Sequence, residues 1–187
     1  MMKKFCYLIF HRLLGWKWKV SAPFYDRCVI CVAPHTSNWD LLYGWLFYKV
    51  MGLKANFMMK KEWFFFPLNL LFRAIGAIPI DRSRRKSTVD QMVERFERKA
   101  YFNLAITPEG TRKANARWKT GFYYIALHAQ VPIVLASVDY DNKLISWEKI
   151  FYPTGDIAKD MKEIGGYAYY KENSHPKHPE RFKPYES

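Results

Sequence analysis

Short β-rich apolar runs alternate with stretches of helical periodicity along most of this chain, and that alternation restricts the fold more than any other feature. Val29–Ala33, Ala55–Met59, Ala77–Ile80, Asn103–Thr107 and Pro132–Val138 read as strands, with one or two more within Lys143–Tyr152. Between them, Asn38–Met51, Ser87–Tyr101, Gly121–Gln130 and Asp156–Tyr170 read as helices, and "EWFFFPLNLLFRAIG" as a helix broken near Pro67. In Ser87–Tyr101, Val89, Met92, Val93, Phe96 and Ala100 keep the spacing of one helical face, and Ser87 with Asp90 can close a capping box. Strands separated by helices need crossover connections, and crossovers put neighbouring strands parallel with helices over both faces. The expected fold is a single α/β domain with a mixed but largely parallel central sheet, helices on both faces and an amphipathic N-terminal helix in front. The expected division is an amphipathic membrane-interface segment over 1–20, a catalytic-sized domain over 21–170 and a loose, proline-containing tail over 171–187.

Four polar clusters follow directly on candidate strands: "PHTSNWD", "KKE" at Lys60–Glu62, "DRSRRK" and "PEGTRK". In a parallel sheet the carboxyl ends of the strands share one edge, and ligands bind in the crevice beyond it. Residues scattered along the chain are therefore expected to converge there. His35 and Asp40 open the first cluster. Five residues apart on a helix they would point about 140° away from each other. They meet only if His35 lies on the turn before the helix and Asp40 in its first turn. Two readings of Asp40 stand side by side: the partner of Ser37 in a capping box, or the carboxylate that orients His35 as a general base. With no protein nucleophile evident beside it, such a base would activate a hydroxyl of the substrate. In the fourth cluster, Gly110 permits a tight turn and Arg112 can clamp a phosphate, with Arg82 from the third cluster as a second guanidinium. The competing reading of that cluster is a solvated turn.

The chain carries 30 Lys and Arg against 17 Asp and Glu, a formal charge of +13. This favours a polyanionic partner: nucleic acid, an anionic membrane surface or a phosphorylated substrate. The basic residues are spread out and no nucleic-acid-binding motif is recognised, which argues against the first. Cys6, Cys28 and Cys31 give no disulfide framework. Cys28 and Cys31 lie three apart in a strand, so they face opposite ways and read as buried thiols. No run of 18 apolar residues suggests a membrane-spanning helix. The first 20 residues mix aromatic and aliphatic side chains with Lys3, Lys4, Arg12, Lys17 and Lys19, which suits either a helix lying in a membrane interface or one packed on the domain. The aromatic stretch Glu62–Phe72 is open in the same way, between membrane contact and an internal groove. "HPKH" at His175–His178 reads as solvated rather than as a metal site, and no metal is expected.

Together these residues resemble the glycerolipid acyltransferase family, the 1-acylglycerol-3-phosphate acyltransferase group. "HTSNWD" matches its H-x4-D block, "GAIPIDR" its second, "PEGTR" its third and "VPIV" its fourth, with Lys119 and Gly121 of "WKTGF" placed as in the family. Pro34, Thr107 and Leu135 depart from its usual residues. The resemblance implies transfer of a fatty acyl group from an acyl-CoA or acyl-carrier-protein thioester to a lysophospholipid hydroxyl, by default that of 1-acylglycerol-3-phosphate. A non-glycerol lysolipid acceptor and a non-catalytic lipid-binding protein are the alternatives. It implies His35 as base, Asp40 as its partner, and Arg82, Glu109, Gly110, Thr111 and Arg112 as the acceptor site, with Lys60 and Lys119 as further substrate-binding candidates. It implies no cofactor beyond the thioester co-substrate, and a peripheral position on the cytoplasmic face of a membrane.

Overall fold

The computed structural model describes residues 2–81, 87–167, 170 and 174–186. Seven strands form one sheet: β1 (Lys17–Val20), β2 (Arg27–Val32), β3 (Asn56–Lys60), β4 (Ala77–Ile80), β5 (Phe102–Ile106), β6 (Ile133–Asp139) and β7 (Leu144–Phe151), in the order β1-β7-β6-β2-β5-β3-β4. From β6 through β4 every pairing is parallel, whereas β7 runs antiparallel to β6. The largely parallel sheet read from the alternation is therefore present, and its single antiparallel pairing falls where a short β6–β7 connection leaves no room for a crossover. Pro79 lies in β4, an edge strand, where its missing N–H interrupts no ladder.

The helices are α1 (Met2–Tyr7), continued by a π-helical stretch over Leu8–Leu13, then α2 (Trp39–Met51), α3 (Leu68–Ala74), α4 (Thr88–Arg98), α5 (Gly121–Ala129) and α6 (Ile157–Gly165). β2 is buried on both sides and divides its residues between two cores. Cys28 and Ile30 pack with Phe10, Leu46, Phe47 and Trp147 beneath α1 and α2. Val29 and Cys31 pack with Met92, Phe96, Phe122 and Ile164 beneath α4, α5 and α6. The two thiols thus face opposite ways, as the strand reading required. Burial raises both thiols, Cys28 to about 12, and leaves them inert hydrophobes. The capping box of α4 is formed: Asp90 N donates to Ser87 Oγ at 3.1 Å, and Ser87 N to Asp90 Oδ2 at 3.3 Å. The helix stops at Arg98 rather than Tyr101, because Lys99 is already extended and leads into β5.

Two expectations need correction at the ends of the chain. Residues 1–20 are not a separate segment: Cys6, Phe10 and Trp16 are core residues, and Lys17–Val20 is a strand paired with β7. The tail read as loose is held at several points. Ser174 and Pro176 are buried, His175 O accepts from Tyr140 N at 2.8 Å, and Glu186 N donates to Ala116 O at 3.2 Å. Its prolines suggested a free segment, but the contacts that fix it are long-range and leave no periodicity to read.

Gly76, between α3 and β4, has φ +99, and a Cβ there would lie 2.3 Å from Ala55 O. Gly76→Ala is expected to destabilise the domain by about 2 kcal/mol or more through combined backbone strain and contact with the β3 entry. Urea unfolding should show a lowered midpoint with an unchanged slope.

Candidate active site

β2 and β5 are adjacent parallel strands whose following helices depart to opposite faces: α2 packs in one core and α5 in the other. Their loops part at the carboxyl edge of the sheet and open a crevice between them, the position where ligands bind in open parallel sheets. His35 stands on the loop after β2, and Glu109 on the loop after β5. Glu109 Oε1 accepts a hydrogen bond from His35 N at 2.8 Å across the gap. Thus the third sequence block fixes the backbone of the first.

His35 precedes α2 and Asp40 is the second residue of the helix, the arrangement that lets their side chains meet. His35 Nδ1 lies 2.9 Å from Asp40 Oδ2. The same oxygen accepts Thr36 N and Ser37 N, each at 3.1 Å. An oxygen already receiving two N–H groups is an acceptor towards the ring as well, so Nδ1 carries the proton and Nε2 is the basic nitrogen. One Asp40 oxygen thus meets both the His35 ring and the Ser37 backbone. It returns to the Ser37 backbone as a capping carboxylate does and holds the imidazole as an orienting carboxylate does. The Ser37 hydroxyl, however, accepts from Trp39 N at 3.3 Å rather than from Asp40 N, so the capping box is only half built. The Asp40 side chain is 3% exposed, whereas that of His35 is 19% exposed and opens to a cavity.

That cavity has a volume of about 470 Å³ and is lined by His35, Asn38 and Asp40 together with residues of the sheet, of α2 and of α4 and α5. Beyond the pair its walls are mostly apolar, with Leu41, Trp45, Phe57, Met58, Ile75 and Trp147 among them and Asn56, Thr88, Thr107 and Ser137 between. Gly110 and Lys119 line its polar mouth. Gly110 has φ +63, and a Cβ there would lie 2.8 Å from Lys119 Cδ, so the glycine lets the lysine stem lie against the turn. Lys119 is anchored by its own N–H on Pro108 O at 2.8 Å.

Glu109 is 4% exposed, and burial raises its carboxyl above the ordinary range against the pull of backbone N–H groups, that of His35 among them. Its Oε2 meets no protein donor among the described residues. Arg112 Nη1 donates to Asn38 Oδ1 at 2.8 Å, which brings this guanidinium to the start of α2, three residues from His35. Thr111 Oγ1 accepts from Lys113 N at 3.2 Å and so shapes the turn. Lys60 is exposed at the end of β3 and does not line the cavity. Arg82 lies outside the described residues.

Sequence reasoning missed Tyr140. It follows directly on β6, and its hydroxyl donates to Asp40 Oδ1 at 2.5 Å. The rule that assembled the other clusters, polar residues immediately after a parallel strand, applies equally here. His175, read as solvated, places Nδ1 3.1 Å from Asp139 Oδ2, and His178 N donates to Thr36 Oγ1 at 3.2 Å.

Comparison with known proteins agrees with this geometry. Residues 19–138 match the Acyltransferase family. Over 142 residues, 73% of its length, the chain is 31% identical to human 1-acyl-sn-glycerol-3-phosphate acyltransferase beta, and it spans half the length of that relative. The fold matches that of the 1-acyl-sn-glycerophosphate (LPA) acyltransferase PlsC from Thermotoga maritima with a TM-score of 0.62, covering 94% of this chain and 80% of that one at 19% identity. The match over residues 19–138, more than half of the chain, shows the family: this chain belongs to the acyltransferase family.

Proposed function

We propose that this protein transfers a fatty acyl group from a thioester to the hydroxyl of a lysophospholipid, with 1-acylglycerol-3-phosphate as the default acceptor. The observation that carries the reading is the His35–Asp40 pair at the mouth of a deep apolar cavity. A base that meets water alone needs no such cavity, whereas a base serving a lipid does. His35 Nε2 takes the proton of the acceptor hydroxyl as its oxygen attacks the thioester carbonyl. Asp40 holds the imidazolium that forms. The carbon–sulfur bond then breaks, the thiolate takes the proton from His35, and the ester leaves. The acyl chain lies along the apolar walls. Lys119 and Arg112, joined by Arg82, supply positive charge for the acceptor phosphate, and Glu109 Oε2 is a ready acceptor for a second hydroxyl of the glycerol. Acyl-CoA or acyl carrier protein is the co-substrate, and no further cofactor enters the scheme.

The lysophospholipid acceptor of such a reaction resides in a bilayer, so the protein would work at a membrane surface. No helix among the described residues is long and apolar enough to cross one. Trp63, Phe65, Phe66, Leu70 and Leu71 stand exposed around α3, Phe66 at 78%, with Lys60 and Arg73 exposed beside them. Met2, Phe5, Leu8 and Leu13 are likewise exposed on the outer side of the N-terminal helix. Aromatic side chains flanked by cations suit an anionic bilayer surface. We assign the protein a peripheral place on the cytoplasmic face, where thioester donors and unpaired cysteines both belong.

Purified protein incubated with a panel of lysolipids and both donor types should yield the acylated product by mass spectrometry. His35→Ala should lower the rate by about 10²–10⁴-fold while the circular dichroism spectrum is kept. A rate equal to that of the parent would overturn the assignment of the base. Separately, Phe66→Asp combined with Leu70→Asp should weaken binding to phosphatidylglycerol vesicles by about tenfold or more, read by cosedimentation, without unfolding the domain.

A further inference from the structure

Tyr140 lies two residues beyond the segment that matches the family, and nothing in the H-x4-D block calls for it. Its surroundings are nevertheless more elaborate than packing requires. The ring meets Trp16 edge-on at 5.3 Å and Tyr43 edge-on at 5.7 Å, and those two stack on each other at 4.0 Å. Trp16 comes from the loop before β1 and Tyr43 from α2. The Tyr140 backbone N–H donates to His175 O, and the preceding residue, Asp139, receives the His175 ring. Three distant parts of the chain therefore hold one phenol in place, and the place they hold it is over the Asp40 carboxylate.

Oδ2 of Asp40 is shared among His35 and two backbone N–H groups, while Oδ1 faces the Tyr140 hydroxyl. A carboxylate fixed at only one oxygen can rotate about its Cβ–Cγ bond and tilt away from the ring it orients. Fixed at both oxygens, it cannot. We infer that Tyr140 is a positioning residue, which pins Oδ1 so that Oδ2 stays aligned with His35 Nδ1 and which shares the carboxylate charge in doing so. Burial and the adjoining carboxylate push the phenol far above its ordinary range, so it remains a donor at every pH at which the enzyme would work. The titratable and charged groups around the pair include Glu109 on the loop after β5, Arg112 on Asn38, Lys119 in the lining of the same cavity, Tyr43 beside Tyr140, and Tyr140 itself. Asp139 and His175 lie behind Tyr140.

This assignment rests on the acyltransferase reading for its effect on rate, but its effect on His35 is measurable without turnover. Tyr140→Phe keeps the ring and its cage and removes only the hydroxyl. Asp40 is then held at Oδ2 alone and can tilt away from the imidazole. The expected result is a weakened His35 Nδ1–H···Oδ2 hydrogen bond, read by NMR as an upfield shift and faster exchange of the downfield Nδ1–H proton, assigned with His35→Ala. If the protein transfers acyl groups, kcat in Tyr140→Phe should also fall by roughly tenfold with KM for the acceptor unchanged, because Tyr140 does not touch substrate. An Nδ1–H resonance unchanged in position and exchange overturns the positioning role, whatever the rate does. Absence of acyl transfer by the parent protein would instead overturn the proposed reaction and leave the NMR result to decide on Tyr140.

Discussion

Everything in this molecule is hung from β2, which hydrogen-bonds to a parallel neighbour on each side and is covered on both faces. Parallel pairing obliges the chain to return over the sheet between strands, and here the return after β2 and the return after β5 take opposite faces. The crevice at the carboxyl edge is a geometric outcome of that divergence and does not depend on the side chains lining it. What the side chains add is closure: the Glu109 carboxylate spans the gap to the backbone of His35, and Arg112 reaches Asn38, each at 2.8 Å. The burial that raises this carboxylate also strengthens its hydrogen bond, since little water competes for it.

Asp40 is the second point of convergence. Among the described residues it collects donors from the β2–α2 loop and from the end of β6, at both of its oxygens. A carboxylate so buried is stable only when its oxygens are occupied. The site is thus preorganised by the ordinary requirement of polar satisfaction, with the imidazole as one donor among four. The cavity that His35 and Asp40 line takes much of the rest of its wall from apolar side chains.

Much of this was legible in the sequence for a definable reason. The parallel core, the opposite faces of Cys28 and Cys31, the α4 capping box and the His35–Asp40 contact are local: each follows from period, spacing or a turn signal within a dozen residues. The strand-end rule then carried Glu109 and Arg112 towards His35 and would have carried Tyr140, had the end of β6 been read like the other four. The features that escaped are set at long range. Lys17–Val20 carries the lysines of an interfacial segment, yet it is a strand because β7 offers it an open edge. His175 and His178 looked like a solvated pair in a proline-rich tail, and only tertiary contact with Asp139 and Thr36 gives them a place. The aromatic run at Glu62–Phe72 has the composition of a core. Trp63, Phe65 and Phe66 are nonetheless exposed, because burial is a property of the fold around them.

The contacts from Tyr140 and His178 back to the first loop bear on synthesis. A ribosome releases residues 35–40 long before residues 140 and 178, so the growing chain carries its histidine and aspartate while their outer supports are still unmade. The finished pocket therefore arises late, once the last tenth of the polypeptide has come to rest against Thr36 and Tyr140.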